Sequence, residues 1–225
     1  CKAINNKIFA RKVSNVLQLN MTKGSVCETY EEIEKESLVL LKEFPQIIIK
    51  QPCGASGKGL WIVDSEKKLN SVLQILKRFY FGRNINQGWI VEGWYDKKHD
   101  INYQVYIHKT GEVDVFSVKE QLLEGTVYIG SLIPPRMPDE MVQECIKCGK
   151  QIGELLYQKG YYGLLGIDAM VTMDDILIPI IEINARFTLS TYISFLDTYR
   201  RDRQLLSFYK KIPVTEKTKY EKIAN

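Results

Sequence analysis

The sequence predicts an α+β protein with two lobes, a small one built around a Gly-rich β-hairpin and a larger one with an antiparallel sheet plus helices. The first observation is the stretch "IIIKQPCGASGKGLWIV" (47–63), in which two short β-branched runs flank three glycines. The second is a change of pattern near residue 88, where helical segments give way to several strands. The third is "GIDAMVTMDDILIPIIEINARF" (166–187), which is typical of two strands joined at "MDD".

The composition is typical of a soluble globular protein. Of the 225 residues, 45% are apolar and 26% are charged, and the net charge is +4 at pH 7. Apolar runs stay short of the about 18 residues that cross a bilayer, and no dense basic block predicts nucleic-acid binding. Five cysteines at irregular spacings indicate a reducing compartment, so we expect a cytoplasmic protein. Because the chain opens at Cys1 rather than at Met, we expect it to be a piece of a longer polypeptide.

In the first lobe, which we place at residues 1–88, the pattern predicts three helices and the hairpin. "NNKIFARKVSNVLQL" begins with an Asn pair that suits a helix N-terminus, and a second helix lies within 25–44. The strand "QIIIKQP" ends at Pro52 and pairs with "LWIVDS" through the loop "GASGKG". A third helix is predicted over 65–81.

In the second lobe, residues 89–212, strands dominate. They are predicted for "GWIVEGWYD", "DINYQVYIHKTGEVDVFSV", which contains a hairpin turn at "KTGE", and "GTVYIGSLIPP". A helix over 139–158 and the strand pair ending in "IIEINARF" follow, and "TLSTYISFLDTYRRDRQLLSFYKK" is predicted to be helical. Residues 213–225 are predicted to form a polar tail.

The pair "CIKC" (145–148) has a spacing found in metal and redox sites. It lies within a predicted helix whose apolar residues recur at helical intervals. A zinc site needs two further ligands, and the two histidines, His99 and His108, lie elsewhere in the sequence. We therefore favour helix packing for both cysteines over a metal site.

The tip of the hairpin is a candidate phosphate site, although two common phosphate motifs do not match. A P-loop needs Gly where the chain has Pro52 and a hydroxyl residue where it has Gly59. A dinucleotide fingerprint is G-x-G-x-x-G before a helix, whereas the order here is G-x-x-G-x-G between two strands. Glycines let backbone N–H groups approach an anion, and Lys50 and Lys58 add charge. The alternative is a flexible hairpin tip with solvated lysines.

Polar side chains follow one face of the last predicted strand pair. Glu182, Asn184 and Arg186 alternate with apolar residues and so share a face, and Asp168 can lie beside them on the partner strand. Oxygen ligands of this kind suit Mg²⁺, which usually takes one or two carboxylates. The alternative is a buried salt-bridge cluster, which would be costly without a ligand to complete it.

The order of these motifs resembles the ATP-grasp superfamily over nearly the whole chain. A lysine in "NNKI" precedes a strand, a lysine, a Gly-rich loop and a second strand. The segments "WIVEGWYDKKHD", "GIDAM" and "IIEINARF" then follow at plausible spacings. The resemblance implies a nucleotide held between two α+β lobes, and it implies a further N-terminal domain upstream of this chain.

The resemblance also implies roles for individual residues. Those that would bind ATP are the phosphate lysines Lys7 and Lys50, the covering loop Gly54, Ala55, Ser56, Gly57, Lys58 and Gly59, the adenine segment Glu92, Gly93 and Trp94, and the ribose residue Asp100, where the family usually has Glu. Those that would bind Mg²⁺ or Mn²⁺ are Asp168, Glu182 and Asn184. Arg186, together with Lys50, would stabilise the transferred phosphate.

The activity implied by the resemblance is an ATP-dependent ligase. A substrate carboxylate is activated as an acyl phosphate, and an amine then attacks it to form an amide or peptide bond. The implied partners are small-molecule carboxylates and amines of the amino acid or peptide kind, without nucleic acid or membrane, and a homodimer is compatible with them. The alternatives are a non-catalytic nucleotide-binding module and another activity of the same site, such as a carboxylase or a kinase. Lys119, Glu120 and Gln121 are expected either to bind substrate or to form a solvated strand end.

Overall fold

The computed structural model describes residues 1–54, 59–79, 88–196 and 203–209. The helices in these ranges are α1 (Lys7–Val16), α2 (Tyr30–Leu40), α3 (Glu66–Phe79), α4 (Asp139–Gln158) and α5 (Leu189–Leu196). The strands are β1 (Gly24–Cys27), β2 (Ile47–Lys50), β3 (Leu60–Val63), β4 (Trp89–Gly93), β5 (Lys97–Ile107), β6 (Val113–Glu124), β7 (Val127–Ile133), β8 (Gly163–Thr172), β9 (Leu177–Asn184) and β10 (Leu205–Phe208). They form two antiparallel sheets, which confirms the predicted α+β class.

The smaller sheet has the strand order β1-β4-β2-β3. Ile47 and Ile49 of β2 are fully buried in a core to which α2 and α3 contribute. A Thr29–Glu32 capping box starts α2, because each side chain bonds the other residue's backbone N–H. The predicted hairpin is confirmed, since β2 and β3 pair with Lys50 opposite Leu60 at the loop end.

Strand β4 lies in this smaller sheet, although its sequence was assigned to the second lobe. It pairs with β1 on one side and with β2 on the other, and all five of its residues are buried. The short strand β1 was not predicted, since "GSVC" has neither alternation nor a β-branched run. The chain passes from the smaller to the larger sheet after Gly93, and the lobes at 1–88 and 89–212 stay a prediction.

The larger sheet has the order β10-β7-β6-β5-β8-β9. Helix α4 covers one face with a core that includes Cys145, Cys148, Ile152 and Leu156. The helix predicted over 188–211 is shorter as observed: α5 is described to Leu196, and β10 pairs with β7 where helix was expected. The predicted polar tail, 213–225, lies outside the described residues.

The other face of the larger sheet is polar because the strands alternate. In β5, Ile101 and Tyr103 enter the α4 core, whereas Asn102 and Gln104 point to the opposite face. Residues that pair directly across neighbouring strands share a face, so Asn102, Asp168 and Glu182 form a row across β5, β8 and β9. This row positions the candidate site.

Helix α1 connects the two sheets. The side chain of Asn6 caps it by accepting the N–H of Ile8 (2.8 Å). Ala10 and Val13 of α1 pack into the core of the larger sheet, next to β9. The N–H of Lys7 donates to Pro52 O (2.9 Å), which ties the first turn of α1 to the chain just after β2.

The five cysteines are free thiols, and two of them confirm the packing interpretation of "CIKC". Burial raises the pKa of Cys145 to about 12 and that of Cys148 to about 11, so both stay protonated in the core. Of the helices described, none combines the length and the hydrophobicity needed to cross a membrane.

Candidate nucleotide and metal site

Two carboxylates stand side by side on the polar face of the larger sheet. Asp168 on β8 and Glu182 on β9 are direct register partners. Three amides bind Asp168: Asn102 Nδ2 (2.8 Å) and Gln121 Nε2 (2.9 Å) donate to Oδ1, and Asn184 Nδ2 donates to Oδ2 (3.1 Å). The predicted group of Asp168, Glu182 and Asn184 is therefore brought together.

The Asp168 carboxylate is held in a charge environment that suits a cation. Burial and the neighbouring Glu182 charge raise its pKa from 3.8 to about 6, although the amide donors act in the opposite direction. A divalent cation would offset the cost of burying the Asp168 charge and the repulsion from Glu182. Within the described ranges, three or more His, Cys, Asp or Glu side chains nowhere come together as a metal-binding group. Mg²⁺ does not need such a group, because one or two carboxylates with water and phosphate oxygens complete its shell. The residues present fit such an ion.

Lys7 connects this carboxylate pair to the Gly-rich loop. Its Nζ lies 3.1 Å from Glu182 Oε1 and donates to Gly54 O, also at 3.1 Å. The side chain is 8% exposed, so the contact with Glu182 is little screened by water. Of the predicted loop, Gly54 and Gly59 are described, whereas Ala55, Ser56, Gly57 and Lys58 lie outside the described residues.

The second predicted lysine, Lys50, lies in a buried ionic cluster. Lys50 Nζ contacts Glu92 Oε2 and Arg11 Nη1 contacts Glu92 Oε1, each at 2.5 Å. Arg11 also donates to Thr22 Oγ1 (3.2 Å) and to Gly24 O (2.7 Å). Burial would raise the pKa of Glu92, but the charges of Lys50 and Arg11 outweigh it and lower the pKa below its usual value. Glu92 is therefore a stable anion.

Sequence reasoning missed Arg11, although a signal for it existed. Arg11 follows Lys7 by four residues on α1, so both side chains lie on one face of the helix. Both line a cleft between the two sheets, which is bordered by Lys7, Arg11, Ser14, Met21, Thr22, Lys50, Ile90, Glu92, Ile180 and Ile181.

The structure gives protein partners to the side chain of Glu92 and to the backbone N–H groups of Gly93 and Trp94. The Glu92 carboxylate binds Lys50 and Arg11, the Gly93 N–H donates to Lys23 O (2.9 Å) and the Trp94 N–H donates to Gln46 O (2.9 Å). The carbonyl oxygens of this segment are the groups left to consider for adenine. Contact with adenine through the carbonyl oxygens of this segment stays a prediction.

Asp100 and Arg186 lie at the two ends of the site. Asp100, opposite Gln121 on β6, is paired with Lys97 (2.6 Å), and its contact with ribose stays a prediction. Arg186 is exposed, and its Nη2 donates to Asn184 Oδ1 (2.8 Å). A guanidinium thus lies next to the predicted metal group, and its catalytic role stays a prediction.

The stretch 119–121 divides between the two faces of β6. Gln121 donates to Asp168, and Lys119 is fully buried, with its Nζ donating to Ser190 O (2.7 Å). Glu120 lies on the opposite face, where Arg136 donates three bonds to it (Nη2 to Oε1 2.7 Å, Nε to Oε2 3.1 Å, and the backbone N–H to Oε2 3.0 Å). The solvated strand end is therefore wrong for Lys119 and Glu120, which are both buried.

Known proteins with similar sequences point to one family. The family model described as "L-aspartate--L-methionine ligase, ATP grasp" matches residues 26–184. The [butirosin acyl-carrier protein]–L-glutamate ligase of Niallia circulans is 33% identical over 195 residues, which cover 86% of this chain and 45% of that protein.

Solved structures agree on the fold. An N5-carboxyaminoimidazole ribonucleotide synthetase in complex with ADP has a TM-score of 0.71 at 20% identity, over 89% of this chain and 48% of that one. A biotin carboxylase from Campylobacter jejuni, in a complex with β,γ-ATP, has a TM-score of 0.74 at 16% identity, over 87% of this chain and 43% of that one. The chain spans about half the length of these relatives. The family match, the homologue and the shared fold together place this chain in the ATP-grasp superfamily.

Proposed function

We propose that the chain carries the ATP and Mg²⁺ site of a ligase that activates an amino acid carboxylate as an acyl phosphate and joins it to an amine. The observation that carries the proposal is the position of Lys7. It bridges Glu182 of the metal group and the backbone of Gly54, where the Gly-rich loop begins. One ammonium group therefore connects the elements that would hold the metal and the phosphates.

The charges in the cleft suit a polyanion. Lys7 and Lys50 each pair with a carboxylate, and Arg11 shares Glu92 with Lys50. A triphosphate entering the cleft would compete with Glu182 for Lys7 and with Glu92 for Lys50. Since Arg11 remains on Glu92, that carboxylate would stay compensated when Lys50 moves to a phosphate oxygen.

The metal group would complete the site. Asp168 and Glu182 would hold the cation through carboxylate oxygens, and Asn184 would hold it through its amide oxygen once Arg186 releases it. A bound Mg²⁺ neutralises phosphate charge while the γ-phosphoryl group is transferred. Arg186 would then be free to contact the transferred group.

The proposed reaction balances in two steps. A substrate carboxylate oxygen attacks the γ-phosphorus of ATP, the bond to the β-phosphate oxygen breaks, and ADP leaves. The nitrogen of an amine then attacks the carbonyl carbon of the acyl phosphate, inorganic phosphate leaves, and the nitrogen loses a proton as the amide forms. The chain supplies binding and charge stabilisation in both steps rather than a nucleophile.

The names of two relatives narrow the substrate class. The matching family model is named for a ligase of L-aspartate and L-methionine, and the similar protein from Niallia circulans is named as a ligase of L-glutamate. An acidic amino acid is therefore our proposed carboxylate substrate. The name of the Niallia circulans protein also mentions an acyl-carrier protein. The alternative to a free amine is therefore an acceptor group that is bound to a carrier protein.

Calorimetric titration with a non-hydrolysable ATP analogue tests the site. Wild type is expected to bind the analogue far better with Mg²⁺ than without it. Glu182→Gln is expected to weaken the Mg²⁺-dependent binding by about tenfold or more, since contacts to charged groups each contribute roughly 1.5–3 kcal/mol. The matched control is Glu154→Gln, an exposed position on α4, which should bind as wild type does. Absence of nucleotide binding in wild type, with or without Mg²⁺, would overturn the proposal.

Trapping with hydroxylamine tests the substrate class. Chain, MgATP, hydroxylamine and either aspartate or glutamate are expected to give an amino acid hydroxamate and ADP. Leucine serves as the apolar control. If leucine gives as much hydroxamate as aspartate and glutamate do, an acidic amino acid is not the preferred substrate and that part of the proposal is wrong. If turnover needs an added carrier protein, the carrier-bound acceptor is favoured.

A further inference from the structure

A chain of hydrogen bonds runs from the residue before α5 to the Asp168 carboxylate. The N–H of Thr188 donates to Thr191 Oγ1 (3.0 Å), and the Thr191 hydroxyl donates to Gln104 Oε1 (2.7 Å). Gln104 Nε2 then donates to Asn102 Oδ1 (2.6 Å), and Asn102 Nδ2 donates to Asp168 Oδ1 (2.8 Å). We call these four links the amide chain.

The Asp168 end of the amide chain fixes its direction. An ionised carboxylate can only accept, so Asn102 donates through Nδ2 and accepts through Oδ1, and Gln104 in turn donates through Nε2 and accepts at Oε1 from the Thr191 hydroxyl. The hydroxyl of Ser190 also donates to Asn102 Oδ1 (2.8 Å), which confirms the oxygen on that side. Gln104 and Asn102 therefore each have one amide orientation.

Burial makes that orientation hard to change. Gln104 and Thr191 are fully buried, and Asn102 is 2% exposed. An unpaired polar group at such a position keeps its full desolvation cost, because water cannot replace the lost partner. Each link therefore depends on the link before it.

The amide chain acts on one particular oxygen of Asp168. Asn102 and Gln121 both donate to Oδ1, whereas the contact that the structure describes for Oδ2 is the longer bond from Asn184 (3.1 Å). Two firm donors on Oδ1 fix the plane of the carboxylate and leave Oδ2 as the oxygen with more free capacity.

We propose that Thr191 and Gln104 are positioning residues for the metal site, because they set the orientation of Asn102 and thereby present Asp168 Oδ2 to a divalent cation. This inference rests on the proposed function, since it needs Asp168 to be a metal ligand. Both residues are fully buried, so neither would contact the cation or the nucleotide. They act through Asn102 on the geometry of the carboxylate.

Loss of the Thr191 hydroxyl predicts a specific failure. Without that donor, Gln104 Oε1 is left buried with no bond from Thr191, so the Gln104 amide is no longer anchored at that end. Its bond to Asn102 Oδ1 would weaken, and Ser190 would be the other donor left to hold Asn102 in place. Asn102 would then hold Asp168 Oδ1 less firmly, and a bound cation would lose a well-placed ligand.

The test compares Thr191→Val with Thr172→Val. Thr172 is also buried and its hydroxyl also accepts a backbone N–H, that of Ile176 (3.2 Å), but it lies outside the amide chain. Titration calorimetry with ADP, with and without Mg²⁺, measures the metal-dependent part of binding. For Thr191→Val we expect that part to fall about fivefold, as for the loss of one buried hydrogen bond, with metal-free ADP binding unchanged. For Thr172→Val we expect both values to match wild type, and similar thermal midpoints would exclude a general stability effect.

Two further variants keep the test decisive. Thr191→Ser retains the hydroxyl and should bind ADP with Mg²⁺ as wild type does. Gln104→Met removes the amide oxygen and the amide NH₂ at similar side-chain size, and it should show the same loss if Thr191→Val does not fold. If wild type shows metal-dependent binding and neither Thr191→Val nor Gln104→Met differs from Thr172→Val, the inference is wrong and the proposed function stands. If wild type shows no metal-dependent binding, the proposed function fails, and the inference fails with it.

Discussion

One carboxylate from the smaller sheet and one from the larger sheet are stabilised in opposite ways at the candidate site. Glu92, on β4 of the smaller sheet, lies between the cations Lys50 and Arg11. Asp168, on β8 of the larger sheet, accepts bonds from three neutral amides and has the anion Glu182 beside it. Burial raises the pKa of both carboxyl groups, but the cations reverse that effect for Glu92, and Glu182 adds to it for Asp168.

The different partners of Glu92 and Asp168 show which part of the candidate site is complete without a ligand. The charge of Glu92 is neutralised by Lys50 and Arg11, so this cluster is complete in the absence of a ligand. Asp168 is oriented by dipoles but not neutralised, and it therefore retains capacity for a cation. The two carboxylates behave differently because their partners differ in charge.

The largest expected effect comes from removing the charge of Glu92. Glu92→Gln leaves Lys50 and Arg11 buried without a counter-ion, and breaking a buried pair in this way costs about 3–5 kcal/mol. The free energy of unfolding, measured by urea denaturation at pH 7, is expected to fall by about that amount. Glu43→Gln is the control, since Glu43 pairs with Lys23 on the surface and such pairs contribute about 0–1 kcal/mol.

The pH dependence sharpens this prediction. The folded-state pKa of Glu92 is below the ordinary 4.5, so its contribution is present above about pH 4.5 and is lost as the pH falls through the folded pKa. The gap between wild type and Glu92→Gln should therefore close in acid. Equal stability of Glu92→Gln and Glu43→Gln at pH 7 would contradict the ionic cluster.

Asp168→Asn is expected to change stability in the opposite direction. The folded-state pKa of about 6 lies above the ordinary 3.8, so ionised Asp168 destabilises the fold. Wild-type stability from this group is complete below about pH 3.8 and is lost as the pH rises to about 6. Above pH 6 without divalent cation, we expect Asp168→Asn to be more stable than wild type by about 1–3 kcal/mol.

Magnesium should reverse that order. With saturating Mg²⁺ and ADP, wild type gains binding energy that Asp168→Asn cannot gain, and its thermal midpoint should rise above that of the variant. Asp175→Asn, at an exposed carboxylate paired with Lys98, is the control and should change stability by less than about 0.5 kcal/mol under both conditions. A destabilised Asp168→Asn in the absence of metal would show that the amide donors outweigh the charge effects.

The same comparison shows what could be predicted from the sequence. Strand alternation predicted that Glu182, Asn184 and Arg186 share a face. The order of the motifs predicted that Lys7 and Lys50 are phosphate-binding lysines. The α+β class and the Gly-rich hairpin were confirmed because both depend on local patterns. Side chains on one element are predictable, since the helix and strand periods are fixed.

What could not be predicted depends on pairing between distant elements. The placement of β4 between β1 and β2 determines that Glu92 meets Arg11 and Lys50, and no local pattern contains that register. Strand alternation places Asn102 and Gln104 on the same face as Asp100, but their contact with Asp168 and Thr191 needs the β5–β8 pairing and the position of α5. Sequence reasoning therefore named most charged residues of the candidate site, but it missed Arg11 and the neutral Asn102 and Gln104.

The smallest expected effect is at Gly166, which lies beside Gln104 on the neighbouring strand. A Cβ there would lie 2.9 Å from Gln104 Nε2, so Gly166→Ala would displace an amide that the chain of hydrogen bonds holds in place. We expect about 1 kcal/mol lower stability, as for mild overpacking, and metal-dependent ADP binding weaker by about twofold. Gly149→Ala on α4 is the control, because its Cβ would lie 2.8 Å from Val115 Cγ2 on the other face of the sheet. Both variants should lose similar stability, and only Gly166→Ala should change the calorimetric response to Mg²⁺; a change in both would show that crowding anywhere in the larger sheet disturbs the site.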